Sequence, residues 1–222
     1  MKFIDYKIYT GKENMKIDSD ILESCTKNNT VEPVFRLYGW EPACVSLGRN
    51  QDSQFINNEL LSKNGIDIVR RLTGGRALLH DMELTYSYVT PASIIPNGEN
   101  ITASYEFISQ IWIDIFKEID INLTIGGLPR YISHNNYCMS LSTGADLCWN
   151  SKKFIGSAQC RKNGYILQHG SILIDYNKEL IEEIFRENTD FSKIVTLKEI
   201  DNSITINDII NLCKNHFRDI IL

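Results

Sequence analysis

Extended and helical segments follow one another along this chain without strict alternation, and that order narrows the choice of fold more than any other feature. Residues 2 to 9 read as extended, with Ile4, Tyr6 and Ile8 on one face. A helix from about Asn14 to Lys27 carries the apolar stripe Met15, Ile21, Leu22 and Cys25. Val34 to Tyr38 and Ala43 to Leu47 read as strands around the turn Gly39-Trp40-Glu41-Pro42. A short helix near Asn57 to Asn64 stops at Gly65, and Ile66 to Arg70 reads as a buried strand. Leu84 to Thr90 is extended. The clearest helix runs from about Thr102 to Glu118, with Ile108, Ile111, Trp112, Ile115 and Phe116 at helical spacing. Several strands are predicted between about Tyr137 and Ile174, then helices at Asn177 to Arg186 and about Thr205 to Ile221. Thr205 and Asp208 resemble a capping box for the last. A doubly wound parallel sheet requires strict alternation, so this order predicts a mixed α/β sheet.

The 222 residues fit one domain, 1–222, with ample material for a core. Hydrophobic content of 43% with 23% charged residues excludes a disordered or fibrous chain. A formal charge of −5 argues against a general nucleic-acid binder. No apolar run approaches roughly 18 residues and Met1-Lys2-Phe3-Ile4-Asp5 is no signal peptide, so the expectation is a cytoplasmic protein without a membrane partner. Six cysteines in a reducing compartment need not pair, and no Cys-x-x-Cys supports zinc or dithiol chemistry, so no metal site is expected. The question is which of the six is a reactive thiol.

Three segments concentrate chemistry. In Arg70-Arg71-Leu72-Thr73-Gly74-Gly75-Arg76-Ala77-Leu78-Leu79-His80-Asp81, paired glycines let backbone N–H groups turn toward a ligand, and three arginines favour an anionic one. The alternative is a hairpin turn with solvated arginines. In Lys152-Lys153-Phe154-Ile155-Gly156-Ser157-Ala158-Gln159, a regular strand places Lys153, Ile155, Ser157 and Gln159 on one face, and Phe154, Gly156, Ala158 and Cys160 on the other. Small residues there leave room for an elongated ligand, unless this is an ordinary hairpin strand with a surface lysine. In Gln168-His169-Gly170-Ser171, polar residues interrupt an apolar strand, and Gly170 suggests close approach of ligand or backbone. A hydrogen-bonded core histidine is the plainer reading of His169.

Taken together and in this order, these motifs resemble the family of lipoate–protein ligases, octanoyltransferases and biotin protein ligases. The segment from Tyr38 to Gln51 resembles that family's early strand–turn–strand. The resemblance runs from about residue 14 to residue 200. It implies a single α+β catalytic domain whose central mixed, largely antiparallel sheet is flanked by helices. It also implies substrate-binding roles for Arg71, Thr73, Gly74, Gly75, Arg76, Ala77, His80, Gly156, Ser157, Ala158, Gln168, His169 and Gly170.

The family runs two chemistries. Ligases activate free lipoate with ATP and Mg, hold the acyl-adenylate with the lysine of Lys-x-x-Gly-Ser-Ala, here Lys153, and typically carry a C-terminal accessory domain. This sequence has room for one helix after its last motif, which points away from a self-sufficient ligase but leaves open one split over two chains. The transferase branch forms a thioester on a cysteine. The segment His134-Asn135-Asn136-Tyr137-Cys138-Met139 resembles that branch, with Met139 where the branch favours Phe, and the resemblance makes Cys138 the nucleophile and Lys153 its partner. A free thiol with a pKa near 8.5 is roughly 3% thiolate at pH 7, and a neighbouring ammonium raises that fraction. On this reading an octanoyl group passes from acyl carrier protein to Cys138, then to a lysine of a lipoyl-accepting protein such as the glycine cleavage H protein, without cofactor. Gly74-Gly75 and Gly156-Ser157-Ala158 line the acyl channel, Arg71 and Arg76 lie near its mouth, and His80 and His169 support by hydrogen bonding. A non-catalytic acyl-binding protein is the third possibility.

The other cysteines read as packing residues: Cys25 and Cys213 on apolar helix faces, Cys44 and Cys148 in strands, and Cys160 opposite Lys153 if its strand is regular. Arg70, Arg71, Arg76, Lys152, Lys153 and Arg161 are expected to gather basic charge around one site.

Overall fold

In the computed structural model, which describes residues 1–127, 136–140 and 142–221, ten strands form two sheets. The strands are β1 (Lys2–Tyr9), β2 (Val34–Trp40), β3 (Cys44–Leu47), β4 (Asp67–Arg70), β5 (Leu78–His80), β6 (Glu83–Pro91), β7 (Thr124–Ile125), β8 (Leu147–Trp149), β9 (Lys152–Lys162) and β10 (Tyr165–Leu173). The helices are α1 (Gly11–Asn28), α2 (Asn58–Asn64), α3 (Ile101–Lys117), α4 (Lys178–Phe185), α5 (Leu197–Ile200) and α6 (Ile206–Ile221). The larger sheet has the order β1-β2-β6-β10-β9-β8-β7 and is antiparallel except at β1/β2. The smaller, β4-β3-β5, has one parallel and one antiparallel pairing. This is the expected single α/β domain with a mixed sheet flanked by helices.

Period two sorts the central strands cleanly. Phe35, Leu37, Leu84, Tyr86, Tyr88, Ile166 and Ile172 meet Trp112, Ile115 and Phe116 of α3 and Ile209, Cys213 and Phe217 of α6 in the main core. On the other face Val34, Val89, Tyr165 and Leu167 pack on Leu22 and Cys25 of α1. Between these apolar ends the same face is polar and buried, carrying Arg36, Thr85, Ser87, His169 and Ser171. A third cluster joins the small sheet to α2 and α4 through Val45, Leu47, Leu61, Ile184 and Phe185.

Local chemistry fixes the helix starts. The Thr205/Asp208 box forms as expected: Thr205 N donates to Asp208 Oδ2 at 2.8 Å, and Asp208 N donates to Thr205 Oγ1 at 3.3 Å. Helix α1 begins three residues before the expected Asn14, because Thr10 and Glu13 form a reciprocal box of their own. The strand expected to be buried at Ile66–Arg70 is instead an edge. Strand β4 pairs only with β3, and Ile68 is 41% exposed. A segment this short, Ile-Asp-Ile-Val-Arg, cannot by itself distinguish an edge from a centre. Tyr137 joins Ala77 in an isolated bridge and Cys138–Ser140 is a 3-10 turn, so among the described residues the strands expected from Tyr137 onward begin at Leu147. Among the described residues no helix is long and apolar enough to cross a membrane.

Candidate active site

The polar stripe of the large sheet is the floor of a cavity. Strand register aligns Tyr38, Thr85, Ser171 and Gly156 in one row across β2, β6, β10 and β9. Arg36, Ser87, His169 and Ala158 form the next row. The whole first row, with His169 and Ala158 from the second, lines a space of about 470 Å3, its open mouth included. Ser46, Arg71, Gly75, Leu78 and His80 from the small sheet and its loop form the facing wall, with Trp40, Met15 and Cys138 completing it. Most of the lining surface is apolar carbon, which suits an acyl chain.

Cys138 reaches this cavity because its backbone is anchored on both sides. Its N–H donates to the Ala77 carbonyl at 2.8 Å, and the Ala77 N–H donates to the Asn136 carbonyl at 3.0 Å. The Glu187 carboxylate, just beyond α4, accepts from the Asn136 N–H at 2.8 Å and the Tyr137 N–H at 2.9 Å. The Cys138 thiol is half-buried at the cavity wall. Its backbone carbonyl accepts from Lys153 Nζ at 3.1 Å. Lys153 is 2% exposed and ion-paired to Asp146, Nζ to Oδ2, at 3.1 Å. Burial pulls a lysine down, but the charges of Asp146 and Cys138 outweigh it and leave Lys153 above its ordinary value, an ammonium at neutral pH. His134 and Asn135 of the same segment lie outside the described residues.

Strand β9 departs from the regular alternation expected of it. Opposite β8 its register slips between Ile155 and Lys153, so that two residues of β9 span one step of its partner. Phe154 and Ile155 therefore both enter the main core, and Lys153 emerges on the face of Gly156 and Ala158. A Cβ on Gly156 would stand 3.0 Å from Lys153 Cε and 2.9 Å from Met139 Sδ, so the missing side chain makes room for the lysine. The bulge also removes the argument that Cys160 faces away from Lys153. Separation along the strand replaces it, at about 3.3 Å per residue over the intervening positions. Cys160 packs beside Leu72 in the α1 cluster.

Arginines that were expected to await an anion are spent on the backbone. Arg71 is 7% exposed; its Nη1 donates to the carbonyl and hydroxyl of Ser46, both at 2.7 Å, and its Nη2 to the carbonyls of Gly74 and Arg76 at 3.1 and 2.8 Å. Arg70 donates to the carbonyls of Gly48 and Gln51 at 2.7 and 2.8 Å. Arg161 lies at the start of α3, donating to Ser104 Oγ at 2.6 Å, and Lys152 is exposed opposite Trp149, so basic charge does not gather at one site as expected. The loop they clamp is close-fitting: a Cβ on Gly48 would fall 1.9 Å from the Gly75 carbonyl oxygen, and Gly75 itself has φ +92°.

The expected binding residues divide. Arg71, Gly75, His80, Gly156, Ser157, Ala158, His169 and Gly170 line the cavity. Thr73, Gly74, Arg76 and Ala77 are not among its lining residues and belong to the adjoining loop. Thr73 Oγ1 is 2.7 Å from His169 Nε2. Gln168 faces α3, donating to Tyr86 Oη at 2.7 Å. Both histidines sit in hydrogen-bond networks. His80 Nε2 is 2.7 Å from Ser46 Oγ, its Nδ1 is 3.2 Å from Glu83, and its ring stacks on Trp40 with centroids 3.9 Å apart. Burial is the largest influence on His80 and holds it below its ordinary value, a neutral imidazole at pH 7.

Sequence reasoning passed over Asp18, Arg36, Glu83, Asp146 and Glu187. Signals for some exist: Asp18 falls on the α1 stripe between Met15 and Leu22, and Arg36 interrupts Val34-Phe35-Arg36-Leu37. Asp146 has only its place before a short strand, and Glu187 none.

Residues 10–218 match the lipoyl protein ligase A/B catalytic domain family. Octanoyltransferase LipM of Clostridioides difficile (strain 630) is 36% identical over 192 residues, covering 85% of this chain and 70% of the relative. Octanoyltransferase LipM of Staphylococcus aureus (strain NCTC 8325 / PS 47) is 33% identical over 207 residues, covering 88% and 74%. Among solved structures, a putative lipoate protein ligase from T. acidophilum with bound lipoic acid superposes with a TM-score of 0.75 at 19% identity, covering 98% of this chain and 84% of that one. That likeness establishes the fold.

Proposed function

We propose that this chain, which belongs to the lipoyl protein ligase A/B catalytic-domain family, is an acyltransferase that moves an octanoyl group in protein lipoylation, as its octanoyltransferase relatives do. The observation that carries the reading is Cys138 in the wall of a largely apolar cavity, with the buried Lys153 Nζ 3.1 Å from its carbonyl oxygen.

The route has two steps. The Cys138 thiolate attacks the thioester of octanoyl-acyl carrier protein, the carrier's thiolate leaves and takes a proton, and the octanoyl group rests on Cys138. The ε-amine of a lysine on a lipoyl-domain acceptor, such as the glycine cleavage H protein, then attacks. The C–S bond breaks, the amide forms, and the amine proton passes to the departing thiolate. Among the described residues, Lys153 and Arg71 are cations that interact electrostatically with Cys138. They stabilise the oxyanion of each tetrahedral intermediate. The acyl chain lies along the row Gly156, Ser171, Thr85, Tyr38. The donor arrives as a thioester, already activated, so the route requires neither ATP nor Mg.

Intact-mass measurement after incubation with octanoyl-acyl carrier protein tests this. The expected result is one octanoyl adduct released by hydroxylamine, absent in Cys138→Ala and discharged by adding the acceptor protein. No adduct on any cysteine, or transfer that depends on ATP and free acid, overturns it.

A further inference from the structure

The amide that this enzyme makes joins an acyl group to a lysine amine, and the enzyme holds a lysine amine of its own close to Cys138. Lys153 Nζ lies 3.1 Å from the Cys138 carbonyl. As a neutral amine it would attack the Cys138 acyl group. A C–N bond would form, the C–S bond would break, and the amine's proton would pass to the thiolate. The products are Nε-octanoyl-Lys153 and free Cys138, and no step of the route reverses an amide. Burial alone drives a lysine toward that neutral form.

Asp146 is built to oppose it. Its carboxylate is held without help from the lysine. Oδ2 accepts from the Thr143 N–H at 2.7 Å and from Thr143 Oγ1 at 3.0 Å, and Oδ1 accepts from the Ser157 N–H at 3.3 Å. That leaves Oδ2 3.1 Å from Lys153 Nζ, with both side chains 3% exposed or less. Among the described residues, the titratable groups that influence Lys153 include Asp146 from the turn before β8, Cys148 from β8 and Cys138 from the 3-10 turn, Asp146 being the carboxylate of the three.

Resting on the transferase reading, we propose that Asp146 is a positioning residue that acts through Lys153: it keeps the ε-amine an ammonium, so that this lysine serves the Cys138 thioester as a cation and never as an acceptor. The direction of the Lys153 shift agrees, since Asp146 is the strongest influence raising it against burial. The enzyme thereby distinguishes its own lysine from the acceptor's by protonation rather than by distance.

The experiment incubates wild type, Asp146→Asn and Asp146→Glu with octanoyl-acyl carrier protein, treats each with hydroxylamine, and maps any surviving octanoyl group by peptide mass. Wild type and Asp146→Glu are expected to lose the adduct completely. Asp146→Asn is expected to accumulate a hydroxylamine-resistant octanoyl group on Lys153, with transfer activity falling in step. Adding Cys138→Ala to Asp146→Asn should abolish that stable adduct, because the acyl group arrives through the cysteine. A folded Asp146→Asn protein that carries only the labile adduct, no adduct, or a stable adduct on another lysine overturns the proposal. Failure of wild type to load at all sinks the transferase reading instead. Should Asp146→Asn not fold, 15N NMR of Lys153 in wild type decides: an ammonium up to a pH of about 9 supports the proposal, and a neutral amine at a pH of about 8 overturns it.

Discussion

Two buried ion pairs stand on the same face of the sheet and are built for opposite ends. Arg36 and Asp18 join β2 to α1, Nη1 to Oδ1 at 2.8 Å, each 2% exposed. Asp18 also accepts from Tyr38 Oη and Ser87 Oγ, both at 2.9 Å, while Arg36 Nη2 donates to Asn14 Oδ1 at 2.5 Å and the guanidinium lies 3.9 Å from the centroid of the Tyr38 ring. Arginine does not lose its proton in a protein, so at neutral pH this pair has one state and serves as a joint. Lys153 and Asp146 are as deeply buried, but lysine can titrate, and one of its donors goes to the backbone of Cys138, the proposed nucleophile. Burial and pairing look alike in the two; the freedom to exchange a proton separates the structural pair from the reactive one.

The largest test of that contrast is Cys138→Ala. It removes the atom that the Lys153 pair serves and touches nothing at Arg36, so transfer should fall by at least about a thousandfold while the melting temperature holds. Next, Lys153→Met and Asp18→Asn should split. Asp18→Asn leaves the Arg36 guanidinium buried without its carboxylate and should cost about 3–5 kcal/mol in denaturant unfolding, with transfer per folded molecule changed less than about threefold. Lys153→Met should cut transfer by about a hundredfold or more. Asp146 keeps its three other donors in that variant, so the stability loss should be the smaller of the two. Equal activity losses from both variants would break the comparison.

Acid tests the joint as well. Burial raises the Asp18 carboxyl, but His169, Arg36 and Tyr38 together outweigh it and hold it below its ordinary 3.8. The unfolded chain then takes up that proton first, so the stability Asp18 contributes is present above its unfolded value and is lost as pH falls through the carboxylate range. His80 has the same sign for a different reason, since burial holds it below 6.5, and stability declines as pH drops past that value. Unfolding midpoints measured against pH should fall in two steps. Asp18→Asn should lose the lower step and keep the upper.

How legible these features were follows from what each depends on. Helix α3, the central strands and the Gly-rich loop rest on local spacing, and the sequence displays them directly. Cys138 was reachable only by resemblance to a family, since its segment has no periodicity and is fixed by Ala77 and Glu187 from elsewhere in the chain. The resemblance paired Lys153 with Cys138, but the face of β9 on which the lysine emerges could not be read. A bulge depends on the partner strand's register, and β8 is only three residues long, so nothing in β9 announces it. The arginines misled because composition reports charge but not whether carbonyls have already claimed it. Asp146 stayed hidden for the same reason: its partner is defined by the bulge.

The bulge supplies the finest test, through two glycines one pairing step apart. A Cβ on Gly170 would stand 2.5 Å from Tyr86 Cε1 and 2.8 Å from the Gly156 carbonyl oxygen, a ring and a backbone that cannot swing aside. Gly170→Ala should therefore destabilise the fold by about 1–3 kcal/mol. At Gly156 the obstacles are Met139 Sδ and Lys153 Cε, near the ends of flexible side chains. Gly156→Ala should cost about 1 kcal/mol or less in stability but displace the lysine, lowering kcat/KM about tenfold, as a misplacement of roughly 1 Å does when catalysis depends on position. If the two variants instead lose stability and activity in the same proportion, the room at Gly156 serves packing alone, and the bulge has no part in presenting Lys153 to Cys138.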